Sequence, residues 1–143
     1  TVIDHRPSLA NNDRFAESDK IVISRPEEIG RKVKLTKDSV AVVMTHNYGH
    51  DKTIVGSLLE RDLAYIGLLG PKVRTESLLR EIAESGTEIS DNSFSKLHAP
   101  VGLDIGAQLP ETIAIAIIAE IQAVLAGREG GHLRDREGSI YGR

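Results

Sequence analysis

Two uninterrupted apolar runs constrain the fold of this chain more than any other feature of its sequence. The first, residues 39–45, is rich in β-branched residues, and the second, residues 64–70, is apolar with two glycines. Strands read as continuously apolar when both of their faces are covered, as they are in parallel sheets. Apolar residues recur at helical spacing over residues 51–62, which predicts a helix between these two strands.

Shorter segments continue this alternation on both sides. Residues 1–4 and 20–23 read as short strands, and helices are predicted to begin at Pro26, Pro71 and Pro110, because proline suits the first helical turn. Alternating strands and helices predict a parallel sheet flanked by helices on both faces. We therefore expect a Rossmann-like α/β domain over residues 1–126 and an exposed, glycine-rich, charged tail over residues 127–143.

Composition narrows the classes of function. The formal net charge is −3, so nothing indicates non-specific binding to nucleic acid. The chain has no cysteine, which removes disulfides, thiolate catalysis and cysteine metal sites and fits a cytoplasmic protein. No apolar run reaches membrane-spanning length. We expect neither a nucleic-acid nor a membrane partner.

The first predicted strand ends in Asp4. In dinucleotide-binding folds an acid at this position hydrogen-bonds a ribose hydroxyl, and a glycine-rich turn lies about 20 residues earlier. No G-x-G-x-x-G occurs in the 143 residues. Either the first strand and its phosphate-binding turn lie outside these residues, or they do not exist. Without that turn, Asp4 also reads as an ordinary acid at the end of a strand.

Polar residues follow the long apolar runs where ligands of open α/β sheets bind, at the carboxyl ends of strands. Thr45 ends the first run and His46 follows it. His46 and His50 are spaced as a metal-binding pair on a helix, but Gly49 lies between them and no third ligand is specified, so we predict no metal site.

The second run leads through Gly67 and Gly70 into Pro71-Lys72-Val73-Arg74. A glycine-proline turn that opens a helix, with Lys72 and Arg74 beside it, has the features of an anion site. Two surface cations at the start of a helix would have the same sequence.

Residues 97–107 place His98 and Asp104 among glycines that include Gly102, which predicts either a binding site or a very tight turn. The sequence Val-Gly-Leu-Asp-Ile-Gly-Ala over residues 101–107 resembles the C-terminal domain of the XdhC/CoxI family, the accessory proteins of xanthine dehydrogenase and related molybdenum hydroxylases. Residues 2–7, 43–47 and 65–70 resemble three further motifs of the family, in the same order. The resemblance covers residues 1–125.

The resemblance implies a Rossmann-like domain of a chaperone-type accessory protein rather than of an enzyme. Such proteins bind the molybdenum cofactor (molybdopterin), protect its sulfurated form and assist its insertion into the apoenzyme of a xanthine dehydrogenase-like molybdenum hydroxylase. Family members also carry an N-terminal domain with a cofactor-associated cysteine, which this chain lacks. Its own contribution would be a nucleotide or pterin-phosphate pocket, or a docking surface. The resemblance also favours a first strand outside the 143 residues.

The candidate cofactor-binding residues are Asp4, Thr45, His46, Gly67, Gly70, Lys72, Arg74, His98, Gly102 and Asp104. We assign Asp4 to a ribose or pterin donor, Lys72 and Arg74 to phosphate, and His46 with Asp104 to orientation, and we assign no catalytic residue. One alternative is an NAD(P)-dependent oxidoreductase in which His46 and His98 act as acid and base. Another is a dimerisation or docking domain, because the helix that begins at Pro110 is the most apolar in the chain; a homodimer is expected.

Overall fold

The computed structural model describes residues 1–87 and 89–140. The chain divides into two compact units, Thr1–Pro100 and Val101–Arg143. In its described residues, the first unit contains five strands and four short or medium helices, which alternate over most of its length. Their bounds are β1 Val2–Asp4, β2 Ile21–Ile23, a 3-10 turn Pro26–Glu28, α1 Ile29–Lys32, β3 Val40–Val43, α2 Tyr48–Leu59, β4 Tyr65–Leu68, α3 Lys72–Glu84, α4 Asp91–Phe94 and β5 Leu97–His98.

All strand pairing in the described residues is parallel. β1 pairs with β2, whereas β3, β4 and β5 form a second sheet in that order. Val40 is opposite Tyr65, and Gly67 is opposite His98. The α/β class and Rossmann-like architecture predicted from the sequence are confirmed, but the strands are divided between two small sheets.

The core of the first unit forms around β4, whose four residues are all buried. Leu63, Tyr65 and Ile66 are fully inaccessible to solvent. Helices α2 and α3 supply the other large buried side chains, including Val55, Leu59 and Leu78. The second apolar run is therefore the central strand that its composition predicts.

Helix α2 begins three residues before the start predicted from its apolar spacing. The side chain of Asn47 accepts a hydrogen bond from the backbone N–H of His50 (3.0 Å), so Asn47 caps the helix. An asparagine at this position satisfies an N–H group that would otherwise lack a partner. Gly49 and His50, which precede the helix predicted over residues 51–62, consequently lie in the first turn of α2.

The second unit is built on helix α5, Pro110–Leu125. Only Ala116 and Ile117 of this helix are buried, whereas Ile115 and Ile118 are more than half exposed. A 3-10 turn, Leu133–Asp135, follows in the predicted tail. Residues 141–143 of that tail lie outside the described residues, and the domain boundary at residue 126 stays a prediction. In the part of the chain that the structure describes, no helix combines the length and apolar character needed to cross a membrane.

Candidate functional site

A polar cleft opens at the carboxyl ends of β1 and β3. We call it the strand-end cleft, and the residues that line it are Ile3, Asp4, His5, Arg6, Ser24, Pro26, Ile29, Thr45, His50 and Ile54. Its lining combines three isoleucines and a proline with a carboxylate, a guanidinium, two imidazoles and two hydroxyls. This is the place where open α/β sheets bind their ligands.

Asp4 is held in one orientation by Arg6. The backbone N–H of Arg6 donates to Oδ1 of Asp4 (2.8 Å), and the guanidinium donates to both carboxylate oxygens (3.0 and 2.9 Å). The hydrogen bonds from the Arg6 side chain lower the pKa of Asp4 to about 2. Asp4 is therefore ionised at neutral pH, and its carboxylate, a quarter exposed, is available only as a hydrogen-bond acceptor.

Two histidines stand beside this carboxylate. Nδ1 of His5 lies 3.4 Å from Oδ1 of Asp4, and the rings of His5 and His50 meet edge to face at a centroid distance of 4.9 Å. Within residues 1–87 and 89–140, no three His, Asp or Glu side chains are grouped as metal ligands.

A fully buried carboxylate, Asp51, organises the loop that follows β3. Its Oδ1 accepts hydrogen bonds from the hydroxyl (2.6 Å) and the backbone N–H (3.2 Å) of Thr45, and its Oδ2 accepts one from Nη2 of Arg74 (2.6 Å). A buried charge is tolerated only when it is paired and hydrogen-bonded. Asp51 thus joins the end of β3 to the first turn of α3.

This ion pair determines what Arg74 can offer to a ligand. Nη1 of Arg74 lies 3.1 Å from the position that a Cβ on Gly70 would occupy. Gly70 has a φ of +141°, which favours glycine, so the backbone passes close to the guanidinium there. Arg74 is committed to Asp51 on one side, whereas Lys72 is exposed at the first position of α3.

A second set of polar contacts braces α2 against α3. The guanidinium of Arg74 lies 5.7 Å from the ring centroid of Tyr48. The Tyr48 hydroxyl and Nζ of Lys52 each donate to Glu81 at 2.8 Å. The hydrogen bond from Lys52 is the largest cause of the lowered pKa of Glu81. These contacts fix α3 relative to α2, whose first turn lines the strand-end cleft through His50.

His46 adopts a left-handed conformation, with a φ of +59°. The turn around it is closed by Thr45, whose hydroxyl contacts both the carbonyl oxygen and the N–H of Asn47 at 3.2 Å. A residue other than glycine in this conformation is uncommon, and such residues cluster at functional sites. The imidazole of His46 is thus exposed on a turn in which the backbone of His46 adopts an uncommon conformation.

Gly67 and His98 lie together but outside the strand-end cleft. They are opposite each other in the β4–β5 ladder. The imidazole of His98 stacks on the buried ring of Tyr65, with centroids 4.4 Å apart and planes 14° from parallel. His98 is therefore packed against the core, which limits the acid–base role considered from the sequence.

Gly102 and Asp104 belong to the second unit. Gly102 has a φ of +107°, its N–H donates to Oε2 of Glu120 (2.9 Å), and a Cβ there would lie 3.3 Å from that of Ala116. Glycine at 102 therefore permits a close approach to α5, which is a structural reason for its presence. Asp104 is exposed.

The structure brings together part of the predicted set. Asp4 and Thr45 share the cleft, and Thr45 is connected through Asp51 to Arg74 and the Gly70 turn. The sequence interpretation did not include Asp51, Arg6 or His50 in the site. The available signals were an acid in the first turn of a helix after a buried strand, and an arginine two residues after a strand-end acid.

Comparison with known proteins identifies the family of this chain. Residues 1–121 match the model of the XdhC Rossmann domain. A protein of Bacillus subtilis (strain 168) that is named as a probable subunit of xanthine dehydrogenase is 39% identical over 120 residues, which are 84% of this chain and 34% of that protein. The "Uncharacterized protein YqeB" of Escherichia coli (strain K12) is 32% identical over 130 residues, 89% of this chain and 23% of that protein.

A solved structure agrees with these matches. The crystal structure of a xanthine dehydrogenase from Bacillus halodurans superposes with a TM-score of 0.77 at 34% identity, over 95% of this chain and 37% of that one. The chain thus spans between 23% and 37% of the length of these relatives. The family resemblance seen in the sequence is confirmed: this chain belongs to the XdhC family and contains its Rossmann domain.

Proposed function

We propose that this chain is the Rossmann-like domain of an accessory protein that serves a xanthine dehydrogenase-type molybdenum hydroxylase. The observation that carries the proposal is the match of residues 1–121 to the XdhC Rossmann domain. The names of two relatives, one a probable subunit of xanthine dehydrogenase and the other a xanthine dehydrogenase, point to the same class of partner. We place this activity in the cytoplasm, whose reducing conditions suit a chain without cysteine.

The finer proposal is assistance in the maturation and insertion of the molybdenum cofactor, a pterin that carries a phosphate. Lys72 is exposed where α3 begins, and a phosphate at a helix start is favoured by the dipole and the free N–H groups. Asp4 and Thr45 offer hydrogen-bonding groups to the polar edge of a pterin. These residues fit the phosphate and ring edge, whereas the chain has no thiol to contact molybdenum.

The roles of the cofactor and of this chain follow from this fit. The cofactor, once in the hydroxylase, supplies the redox chemistry of substrate hydroxylation. This chain would bind and orient: Lys72 and the outer edge of Arg74 hold the phosphate, while Asp51 keeps Arg74 and Thr45 in place. We assign it no catalytic residue.

An alternative function is binding of NAD(P) in an oxidoreductase. The observation in its favour is the acid that ends β1, where a dinucleotide fold places its ribose ligand. Against it, Arg6 already occupies both oxygens of Asp4, so a ribose diol would have to compete with a bidentate ion pair. Fold alone does not assign this chemistry.

A homodimer is the remaining proposal for partners. Ile115, Ile118 and Leu125 of α5 are 59%, 66% and 55% exposed, and their spacing places them along one stripe of the helix. Burying three such side chains against a second copy would stabilise a dimer by several kcal/mol, at about 1.5–3 kcal/mol for each side chain. Sedimentation equilibrium of the chain and of Ile118→Glu tests this: a monomer at micromolar concentration for both would exclude it.

The test of the main proposal is co-expression with a xanthine dehydrogenase in cells that lack their own XdhC-family protein. The full-length protein should raise molybdenum content and specific activity of the hydroxylase, and Lys72→Met should lose that gain while the hydroxylase is still produced. Glu76→Gln, a substitution of another exposed residue on α3, is the matched control. Unchanged hydroxylase activity, together with saturable NAD(P) binding, would favour the oxidoreductase instead.

A further inference from the structure

A buried hydroxyl without a partner lies in the first turns of α3. Thr75 is 4% exposed, and its Oγ1 has no hydrogen-bond partner among the described residues. A helical threonine commonly donates to the carbonyl four residues earlier, as Thr53 of α2 does to Gly49 (3.0 Å). For Thr75 that carbonyl is the one of Pro71, which already accepts from the N–H groups of Arg74 (3.0 Å) and Thr75 (3.2 Å). A buried hydroxyl in this state is costly and requires an explanation.

The side chain of Thr75 is directed towards the start of its helix on the side of the sheet. Thr75, Leu78 and Ile82 are the buried residues of α3, and their spacing places them on one stripe. Helical side chains lean towards the N-terminus and cover the preceding turn. The hydroxyl of Thr75 is therefore aimed at the crevice between the first turn of α3 and the end of β4, where the Gly70 turn joins them.

The other groups at the start of α3 are donors or positive charges. The N–H groups of Lys72 and Val73 occupy the first two helical positions, so they have no partner within the helix. Within residues 1–87 no side chain caps α3, and its first turn contains no acid. The side chain of Lys72 is exposed, and Nη1 of Arg74 is turned towards Gly70. Such a helix start attracts an anion.

The buried carboxylate of Asp51 does not oppose an anion here. Its Oδ2 is paired with Nη2 of Arg74 at 2.6 Å. The guanidinium is planar and presents donors on more than one edge, so pairing through Nη2 leaves Nη1 for a second acceptor. The Arg74 side chain is 24% exposed, which gives a ligand access to that edge.

We propose that Thr75 completes a site for a phosphate group at the start of α3 and selects this anion over a carboxylate. The proposal rests on the proposed function, in which this segment holds the phosphate of a pterin, and it adds the residue that determines specificity. Donors converge from the helix N–H groups, from Arg74 and from Thr75. A phosphate presents three acceptor oxygens and can meet all of them, whereas a carboxylate presents two.

Binding at Thr75 includes a small movement. Oγ1 of Thr75 is inaccessible to solvent in this structure, so the first turn of α3 must shift before a phosphate oxygen can reach it. Gly70 joins β4 to α3 with a φ of +141°, a conformation that favours glycine. Residues at the end of an element that can absorb a change in backbone angles act as hinges. We assign this role to Gly70.

Titration of the chain labelled with nitrogen-15 tests the site. Inorganic phosphate, phenyl phosphate and benzoate are added separately while backbone NMR signals are followed. We expect the signals of residues 70–75 to shift with both phosphates, and benzoate to bind at least about tenfold more weakly than phenyl phosphate, which has the same ring. Tighter binding of phenyl phosphate than of inorganic phosphate would identify a phosphate ester as the ligand, and equal binding would identify the free ion.

Thr75→Val replaces the hydroxyl by a methyl group of similar size. We expect it to weaken binding of phenyl phosphate by about tenfold, as the loss of a hydrogen bond to a charged group does, and to leave benzoate binding unchanged. The melting temperature should stay the same or rise, because no buried donor is left unpaired. Thr75→Ser should keep the affinity. Thr53→Val, which removes a hydroxyl that is already bonded, is the matched control.

The contrary results are equally specific. Phosphate affinity that is unchanged in Thr75→Val, or an absence of shifts at residues 70–75 at about 10 mM phosphate, would overturn the proposal. If Thr75→Val does not fold, Thr75→Ala replaces it with the same expected loss. If the chain binds phosphate through Thr75 but the full-length protein does not raise hydroxylase activity, the accessory function fails and the site stands. If activity rises and Thr75→Val has no effect on binding, the site fails alone.

Discussion

Two aspartate–arginine pairs lie at the same edge of the first unit, and they differ in almost every respect except chemistry. Asp4 pairs with Arg6, two residues away, and the two side chains are 25% and 48% exposed. Asp51 pairs with Arg74, 23 residues away, and these side chains are 0% and 24% exposed. The first pair is local and faces the cleft, whereas the second joins two elements of the fold.

The difference separates residues that stabilise the fold from residues that could contact a ligand. A surface ion pair contributes about 0–1 kcal/mol. Removing one member of a buried pair costs about 3–5 kcal/mol, because the remaining charge is left without compensation. We therefore interpret Asp51 and Arg74 as the residues that hold the strand-end loops. Lys72 is the exposed cation that can meet a ligand, and Asp4, whose oxygens are paired with Arg6, is an acceptor that a ligand would have to share.

The largest expected effect is that of Arg74→Met. It leaves the carboxylate of Asp51 buried with only its hydrogen bonds to Thr45, so we expect a loss of about 3–5 kcal/mol in the free energy of unfolding. Lys72→Met, two residues away and exposed, is the control and should change it by less than about 0.5 kcal/mol. Urea denaturation measures both, and equal effects would remove the distinction between the two cations.

Asp51→Ala should cost less, about 2–3 kcal/mol, because the guanidinium of Arg74 is partly exposed and can turn towards water. Asp4→Ala is the matched variant on the cleft side and should cost under about 1 kcal/mol. The double variant Asp51→Ala with Arg74→Met should lose less free energy of unfolding than the two single variants together, because Asp51 and Arg74 share one interaction. Additive losses in a thermodynamic cycle would contradict a direct pair.

The sequence predicted the fold more completely than it predicted the buried pair of Asp51 and Arg74. The run that became β4 is apolar throughout, and a continuously apolar strand allows few other interpretations. Asp51 was not predicted, because an acid in the first turn of a helix is usually a solvated, dipole-favoured residue. Its burial depends on Arg74, and contacts between residues so distant in sequence leave no periodic signal.

The glycines of the second unit show a similar limit. Gly102 was chosen as a ligand contact, because glycine permits close approach of a backbone. The structure shows that the approaching group is the protein's own helix α5, through Ala116. The glycine at position 102 correctly indicated a close approach to the backbone, but it did not indicate which group approaches.

The exposed pair should titrate at low pH. Because the hydrogen bonds of Arg6 lower the pKa of Asp4 from 3.8 to about 2, the folded state binds this proton less readily than the unfolded state. The stabilisation is complete above pH 4 and is lost as pH falls towards 2. NMR titration of the Asp4 carboxyl carbon should give the low value, and Arg6→Ala should return it towards 3.8; an unchanged value in that variant would assign the shift to another cause.

The smallest expected effect on stability is that of Asp104→Ala. Asp104 is exposed, so its removal should change the melting temperature little, since surface substitutions cost within about 0.5 kcal/mol. Our assignment of Asp104 to orientation predicts that ligand binding is affected more than stability. Calorimetric titration and thermal melting are compared for this purpose, and equal losses in the two would make Asp104 a structural residue.

The most direct test of the account is a contact map between this chain and a molybdenum hydroxylase apoenzyme. The chain labelled with nitrogen-15 is titrated with purified xanthine dehydrogenase apoenzyme while backbone NMR signals are followed. Because Asp4, Thr45 and Lys72 would hold the cofactor that passes to the apoenzyme, we predict line broadening that begins at these residues and spares the buried strand β4 at low occupancy. Binding that leaves these three signals unchanged, or no binding by the full-length protein, would contradict it.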